Sequence, residues 1–202
     1  MSERKLYLYG ASGHGKVVTE IAESLGLSIG GFVDANPVIR ELLEYPVSTD
    51  LPLGEQVLFI SIGNNRIRKK LVSELVNEQF ATLIHPDAIV SRRSIIGNGT
   101  VIMGGAALNA DVKIGTHCII NTNASVDHDC QLDDFVHISP NVALAGDVSV
   151  GEGTHIGIGA CVIQGVRIGK WCTVGAGAVI IGDVPDGATV VGNPGRIIKT
   201  NE

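Results

Sequence analysis

With 202 residues the chain is long enough for one large domain, or a small one joined to a larger one, with a sizeable core. Its 15 Lys and Arg against 21 Asp and Glu leave a formal net charge of −6, and no basic run is present to neutralise phosphates, which argues against nucleic acid as a partner. No stretch approaches the roughly 18 apolar residues of a membrane span, and Met1-Ser2-Glu3-Arg4-Lys5 leads into a strand-like run without a signal-peptide core, so a cytoplasmic protein with no membrane partner is expected.

The first 84 residues alternate short apolar runs with helical periodicity. Leu6 to Tyr9 reads as a strand, Val17, Val18, Ile21, Ala22 and Leu25 as one face of a helix, and Ile29 to Val33 as a second strand. Val57 to Ile62 gives a third strand, Ile67, Leu71, Val72, Leu75 and Val76 a second helical face, and Phe80 to Ile84 a last extended piece. The pattern predicts a small α/β domain with a parallel sheet of the Rossmann-like kind over residues 1–84.

Between the first strand and first helix lies Gly10-Ala11-Ser12-Gly13-His14-Gly15, where backbone N–H groups and a helix N-terminus favour an anionic group. The spacing of Gly10 and Gly15-Lys16 is that of a P-loop, but Val17 stands where a metal-binding Ser or Thr is needed, and GxGxxG is not formed either. A diphosphate or sugar nucleotide fits this loop better than ATP or a dinucleotide, and a plain tight turn is the structural alternative. Asp34 after the second strand and Ile62-Gly63-Asn64-Asn65 after the third should face the same sheet edge, where Asp and Asn serve equally as ligands or as turn residues.

After His85-Pro86 the period becomes six. Every sixth residue from Val90 to Ile180 is a branched aliphatic, sixteen in register, and four residues after each comes a small or slim one, Ser94 through Val184. This is the pattern of a parallel β-helix over residues 85–202: each hexad supplies one short strand and a turn, and three hexads close a triangular coil of eighteen residues. The aliphatic side chains then stack on their copies one coil away, about 4.8 Å along the axis. Cys118, Cys130 and Cys172 fall at the slim position, so they read as packing residues rather than redox or metal groups. His117, His128, His137 and His155 avoid both core positions and are expected to point outward. His137 and His155, eighteen apart, share one face, and His128 sits between Asp127 and Asp129, carboxylates suited to orient an imidazole and raise its basicity.

The Gly10–Gly15 loop, Ile62-Gly63-Asn64-Asn65-Arg66-Ile67-Arg68, Asn121-Thr122, His128-Asp129-Cys130, Val136-His137-Ile138-Ser139-Pro140 and Gly192-Asn193-Pro194 occur in an order that resembles the hexapeptide-repeat sugar acetyltransferases of the bacillosamine, perosamine and sialic acid pathways. The resemblance spans nearly the whole chain. It implies a left-handed β-helix closed by a C-terminal cap, a homotrimer, and acetyl-CoA as co-substrate with no metal. By the same resemblance His128 is the general base, Asp129 orients it, and Asp127 has no part. His137 contacts the acetyl group, and Gly146, Ile158 and Ala176 cradle the CoA arm between neighbouring helices. Gly10, Ser12, Gly13, His14, Asp34 and Asn64 are the residues that the loop positions and the family pattern assign to the nucleotide-sugar. The implied reaction is N-acetylation of a nucleotide-linked amino-sugar, such as a UDP-4-amino-deoxy sugar, in surface-glycan biosynthesis. The rival readings are a sialic acid-type sugar O-acetyltransferase, a γ-class carbonic anhydrase-like metal enzyme, whose His-x4-His pair is missing here, and a catalytically silent subunit.

Overall fold

The computed structural model describes residues 4–200 except 53 and 55. The chain divides into two compact units, Met1–Pro86 and Asp87–Glu202.

In the first unit the elements are β1 (Leu6–Tyr9), α1 (Gly13–Ser24), β2 (Ile29–Val33), β3 (Glu41–Leu42), β4 (Tyr45–Ser48), β5 (Val57–Ile60), α2 (Asn65–Glu74) and β6 (Gln79–Phe80). The sheet order is β3-β4-β2-β1-β5-β6, parallel throughout except for the β3–β4 pair. Leu8, Phe32, Leu58, Phe59 and Ile60 are buried, as central strands of a parallel sheet require. The chain leaves β1 for β2 on one side and returns to β5 on the other. The strand order therefore reverses between β1 and β5, the place where open α/β sheets leave a crevice at the carboxyl ends of their strands.

Three expectations need correction here. The third strand ends at Ile60 rather than Ile62; Ser61 makes the last bond to β1, through both its N and its Oγ to Tyr9 O. The β3–β4 hairpin was not foreseen, since its tip places Leu43 and Glu44 at φ of 50° and 65°, without the Gly or Asn that usually marks such a turn. The apolar face assigned to α2 is also misplaced: Ile67 and Val76 are 48% and 75% exposed, whereas Asn65 and Arg68 are buried, Arg68 at 1%. Arg68 is drawn inward because its guanidinium donates to Ile62 O at 2.9 Å and to Asn65 Oδ1 at 2.9 Å, tying the loop after β5 to the helix.

The second unit is the parallel β-helix. Ser125–Val126, Gln131–Leu132 and His137–Ile138 are successive two-residue strands, and each pairs in parallel with the strand eighteen residues later: Ser125 with Ala143, Gln131 with Ser149, His137 with His155. Ile114, Leu132, Val150 and Ile168 form one buried column, and the half-buried Ile96 begins it. From Gly99 to Gly177 each turn carries its third residue in the left-handed region. Gly, Asn and Asp fill most of these positions, among them Asn123, Asp129 and Asp147 at φ of 56° to 62°. His117, expected to point to solvent, is instead buried, because its ring lies flat against that of Phe135 one coil away, centroids 5.5 Å apart. The stack ends where Ala188–Val191 extends one face and Arg196–Thr200 pairs with it antiparallel.

The slim column does more than leave space. Thr154 Oγ1 donates to Gly169 O at 2.6 Å and accepts from Cys172 N at 2.9 Å, and Thr100 repeats this with Gly115 O and Cys118 N. The thiols of Cys118, Cys130 and Cys172 donate to Asp133 O, Ala145 O and Pro185 O at 3.1, 3.2 and 3.0 Å. Small donors thus satisfy carbonyls of the next coil inside the prism, where an unpaired group is costly.

Two outcomes are expected. Thr154→Val keeps the shape but strands Gly169 O and Cys172 N, so chemical denaturation should register a loss of about 1–3 kcal/mol, largely avoided in Thr154→Ser. In thiol labelling, exposed Cys161 should react promptly while buried Cys118, Cys130 and Cys172 wait for unfolding, and burial also raises the pKa of the Cys130 and Cys172 thiols. Rapid labelling of Cys130 in the folded protein would contradict its place in the core.

Candidate active site

In the α/β unit the glycine loop is shaped by backbone crowding. Gly10 adopts φ +116°, and a Cβ there would come within 2.6 Å of Ile62; a Cβ on Gly15 would meet Gly10 O at 2.5 Å. The loop is pinned from below by Ser61 Oγ, which donates to Gly10 O at 2.8 Å, and from the side by Asp34 Oδ2, which accepts from Ala11 N at 2.8 Å. Ser12 precedes the first residue of α1 but makes no side-chain cap bond, and both Ser12 and Gly13 are exposed. Asn64 Oδ1 caps α2 by accepting from Arg66 N and Ile67 N, each at 3.1 Å. The N-termini of α1 and α2 therefore open at the carboxyl ends of the adjacent strands β1 and β5, with Gly10, Ser12, Gly13, His14, Asp34 and Asn64 gathered at that edge. Asp34 and Asn64 already have protein donors on their oxygens, which is the turn-residue reading of the two left open by the sequence.

His14 at this edge is held uncharged. Burial, and secondarily the nearby Arg68 guanidinium, lower its pKa from 6.5 to about 4, and its buried Nε2 has no hydrogen-bond partner among the described residues.

The β-helix carries a second constellation. His128 occupies a turn on the edge that follows Ser125–Val126. Its Nδ1 lies 2.7 Å from Asp129 Oδ2, so the imidazole hydrogen sits on Nδ1 and the lone pair on Nε2. The ring rests on Gly146, one coil on, where a Cβ would come within 2.6 Å of its Cε1. The hydrogen bond to Asp129 raises the His128 pKa above 6.5, with further contributions from the charges of Asp127 and Asp147. An open hollow of about 610 Å³ beside it is lined by Asp111, Lys113, His128, Asp129, Gln131, Asp147 and Gln164.

His137 projects from a different face. Its ring stacks on His155 with centroids 4.6 Å apart, Asn121 Nδ2 lies 3.3 Å from its Nε2, and Ser139 Oγ lies 2.8 Å from His155 Nε2. Asn121 Oδ1 accepts from Thr122 N at 2.8 Å, which turns Nδ2 toward His137 and makes His137 Nε2 the acceptor. Ile158 and Ala176, exposed and one coil apart, lie on the edge that follows this face. Within one chain the structure thus joins His128, Asp129 and Gly146, and separately aligns Ile158 with Ala176; it does not bring the two sets to one edge. Asp111 and Asp147 escaped the sequence reading, although they lie eighteen residues to either side of Asp129 and the coil period would have found them. Among the described residues no group of three His, Cys, Asp or Glu side chains is arranged to hold a metal ion, and no helix is long and apolar enough to cross a membrane.

The neutral state of His14 has a measurable consequence. Its folded pKa lies below the unfolded value, so the unfolded state binds the proton more readily between about pH 4 and 6.5, and the contribution is complete above pH 6.5 and lost as the pH falls toward 4. Urea titrations at pH 7 and pH 5 should give a stability difference that shrinks in His14→Gln; an undiminished difference in that variant would assign the effect to other groups.

Residues 5–75 match the PglD N-terminal domain family, and residues 147–182 match the bacterial transferase hexapeptide (six repeats) family. A curated relative, UDP-N-acetylbacillosamine N-acetyltransferase of Bacillus subtilis (strain 168), is 43% identical over 111 residues; the match takes in 50% of this chain and spans about half the length of that relative, 51%. A solved structure of perosamine N-acetyltransferase from Caulobacter crescentus with CoA and GDP-perosamine superposes with a TM-score of 0.90 at 40% identity, covering 96% of this chain and 97% of that one. The acetyltransferase domain of PglB from Neisseria gonorrhoeae with acetyl coenzyme A superposes with a TM-score of 0.90 at 42% identity, covering 98% and 100%. With likeness of that extent through both units, the chain belongs to the family of hexapeptide-repeat sugar acetyltransferases that carry a PglD N-terminal domain.

Proposed function

We propose that the protein transfers the acetyl group of acetyl-CoA to the amine of a nucleotide-linked amino-sugar, with His128 as general base. The observation that carries this reading is the His128–Asp129 pair, which fixes the hydrogen on Nδ1 and turns the lone pair of Nε2 outward on an open edge. An amine attacks a thioester only when unprotonated, and the nitrogen becomes strongly acidic as it bonds to the carbonyl carbon. A base with pKa near about 7 is suited to take that proton, and the carboxylate neighbours raise His128 in that direction. Asp129 stabilises the imidazolium formed. The thioester oxygen gains negative charge in the same step; the backbone N–H of Gly146 is the group assigned to it, and His137 is assigned to contact with the acetyl group. The C–S bond then breaks and CoA leaves as the thiol, with no covalent acyl-enzyme.

The acceptor is assigned an amine rather than a hydroxyl because the perosamine enzyme matched over nearly the whole chain, and the bacillosamine enzyme matched over about half of it, are both named for N-acetylation. The glycine loop of the α/β unit, with Ser12, Gly13, His14, Asp34 and Asn64, is assigned to the nucleotide part of that substrate. A homotrimer accounts for the placing of Gly146 on one edge and of Ile158 and Ala176 on another: one chain offers the His128 edge, and a second chain offers Ile158 and Ala176 to the CoA arm. The two substrates are cytoplasmic metabolites, which suits a cytoplasmic enzyme.

Thiol release should be followed with acetyl-CoA and either UDP-linked 4-amino-sugar or GDP-perosamine. His128→Ala should lower kcat by roughly 10² to 10⁴ with acetyl-CoA binding nearly unchanged. Asp129→Asn should cost less and move the ascending limb of the pH profile to lower pH, since the partner that raises the His128 pKa is gone. Turnover in His128→Ala near the original rate would place the base elsewhere.

A further inference from the structure

Two carboxylates flank His128, and they do different things. Asp129 holds the ring. Asp127 holds the backbone: its Oδ1 accepts from His128 N at 2.8 Å and, at the same atom, from Asn109 Nδ2 at 2.7 Å. Asn109 lies one coil earlier and is itself fixed, since its N donates to Val126 O at 3.0 Å and its O accepts from Ser94 Oγ at 3.0 Å. The result is a polar strut running from the preceding coil, through the Asp127 carboxylate, to the amide of His128.

We propose that Asp127, braced by Asn109, is a positioning residue for His128, fixing the base from its backbone while Asp129 fixes it from its ring. Such a strut has a purpose at this turn. The His128 side chain is 53% exposed, so little besides Gly146 beneath it restrains the ring by packing. The following residue, Asp129, stands at φ +62° with its N donating to Ala110 O at 3.1 Å, so the backbone on the far side of His128 is tied to the preceding coil, as the Asp127 strut ties the near side. The strut does not continue along the edge. The two earlier coils carry Ser91 and Asn109 at the position of Asp127, Asn109 being part of the strut, whereas the next three carry Ala145, Ile163 and Ile181, none of which has a side-chain acceptor. The coils that follow therefore stack without it.

Asp127 further contributes a fixed negative charge. Its own pKa is lowered by the bonds from Asn109 and His128 N, so it stays ionised where His128 titrates. The charged groups facing His128 are Asp127 and Asp129 in its own turn, Asp111 and Lys113 from the coil before, and Asp147 from the coil after.

This inference rests on His128 being the general base, and the test separates the two ideas. The His128 imidazole is followed by NMR through a pH titration of the protein without substrates, and kinetics are run with acetyl-CoA and the two nucleotide-amino-sugars named above. Asp127→Ala should lower kcat about 10- to 100-fold with the acetyl-CoA KM within about twofold, and should move the His128 midpoint to lower pH. Asn109→Ala should lower kcat about 3- to 10-fold, and the double variant should be no slower than Asp127→Ala, because Asn109 acts through Asp127. Asp127→Asn keeps an acceptor oxygen but loses the charge, so it should recover most of kcat while retaining the lowered midpoint. A residue that merely stabilised the coil would change the melting temperature and leave kcat per folded enzyme and the midpoint alone. Should Asp127→Ala not fold, Asn109→Ala and Asp127→Asn carry the same comparison. If these variants keep kcat within twofold and an unmoved His128 midpoint while His128→Ala is inactive, the strut has no positioning role and the base assignment stands. If His128→Ala turns over normally, the base assignment fails and the strut has nothing to position.

Discussion

The constraint on which the rest of the β-helix depends is the eighteen-residue coil. A two-residue strand cannot satisfy its own backbone, so outside local turn bonds the N–H and C=O groups of residues 89–180 find partners one coil away, as Gln131 N does with Val148 O and His137 N with Thr154 O. That rule fixes the aliphatic column, because a side chain out of register would leave the prism open and its neighbours unpaired. It also explains why the slim column includes Thr100, Thr154 and the three buried cysteines. An interior position that must be small and also face a carbonyl is best filled by a small donor.

The same period assembles the site. Residues distant in sequence become neighbours when they differ by about one coil, which puts Gly146 beneath His128, Asn109 beside Asp127, and His155 against His137. The turns, free of the packing demands of the prism, are where polar chemistry is admitted, and the left-handed residue in each turn aims the side chain before it along the edge. In the α/β unit the positioning rule is different: strand ends and helix starts gather at the reversal between β1 and β5, and Ser61, Asp34 and Arg68 are used to lock the loops there.

Much of this was legible in the sequence, and what was not has identifiable causes. The β-helix was plain because each of its positions repeats sixteen times, and His128 with Asp129 could be singled out as a histidine beside a carboxylate in a turn. The β3–β4 hairpin was hidden because Leu43 and Glu44 occupy a turn that Gly or Asn normally signals. The buried face of α2 was misread because periodicity counts apolar residues, whereas here a hydrogen-bonded arginine is the buried residue and Ile67 is not. His117 was taken for a surface residue since nothing in the hexad shows that Phe135 would cover it. The bond from Asn109 to Asp127 could be found from spacing alone, but its acceptance of the His128 amide needs coordinates.

Two of the histidines assigned to the reaction's substrates have their pKa moved in opposite directions by opposite means. His14 is kept neutral by burial beside a cation, so it presents its imidazole without a charge that would have to be stripped of water. His128 is made more basic in the open, by its hydrogen bond to Asp129 and by the charges of Asp127 and Asp147. An exposed pair is screened by water, which weakens both its pull on a proton and the stabilisation of charge at the thioester oxygen. For the His128 edge to work as a catalytic centre, something must exclude that water when both substrates are present. Neither the small side chains of the adjoining face, Ser125, Ala143 and Cys161, nor the open hollow can do so within one chain. In the proposed trimer the substrates and a second copy of the helix would form that cover, so association would strengthen the His128–Asp129 bond by drying it as well as lend Ile158 and Ala176 to the CoA arm.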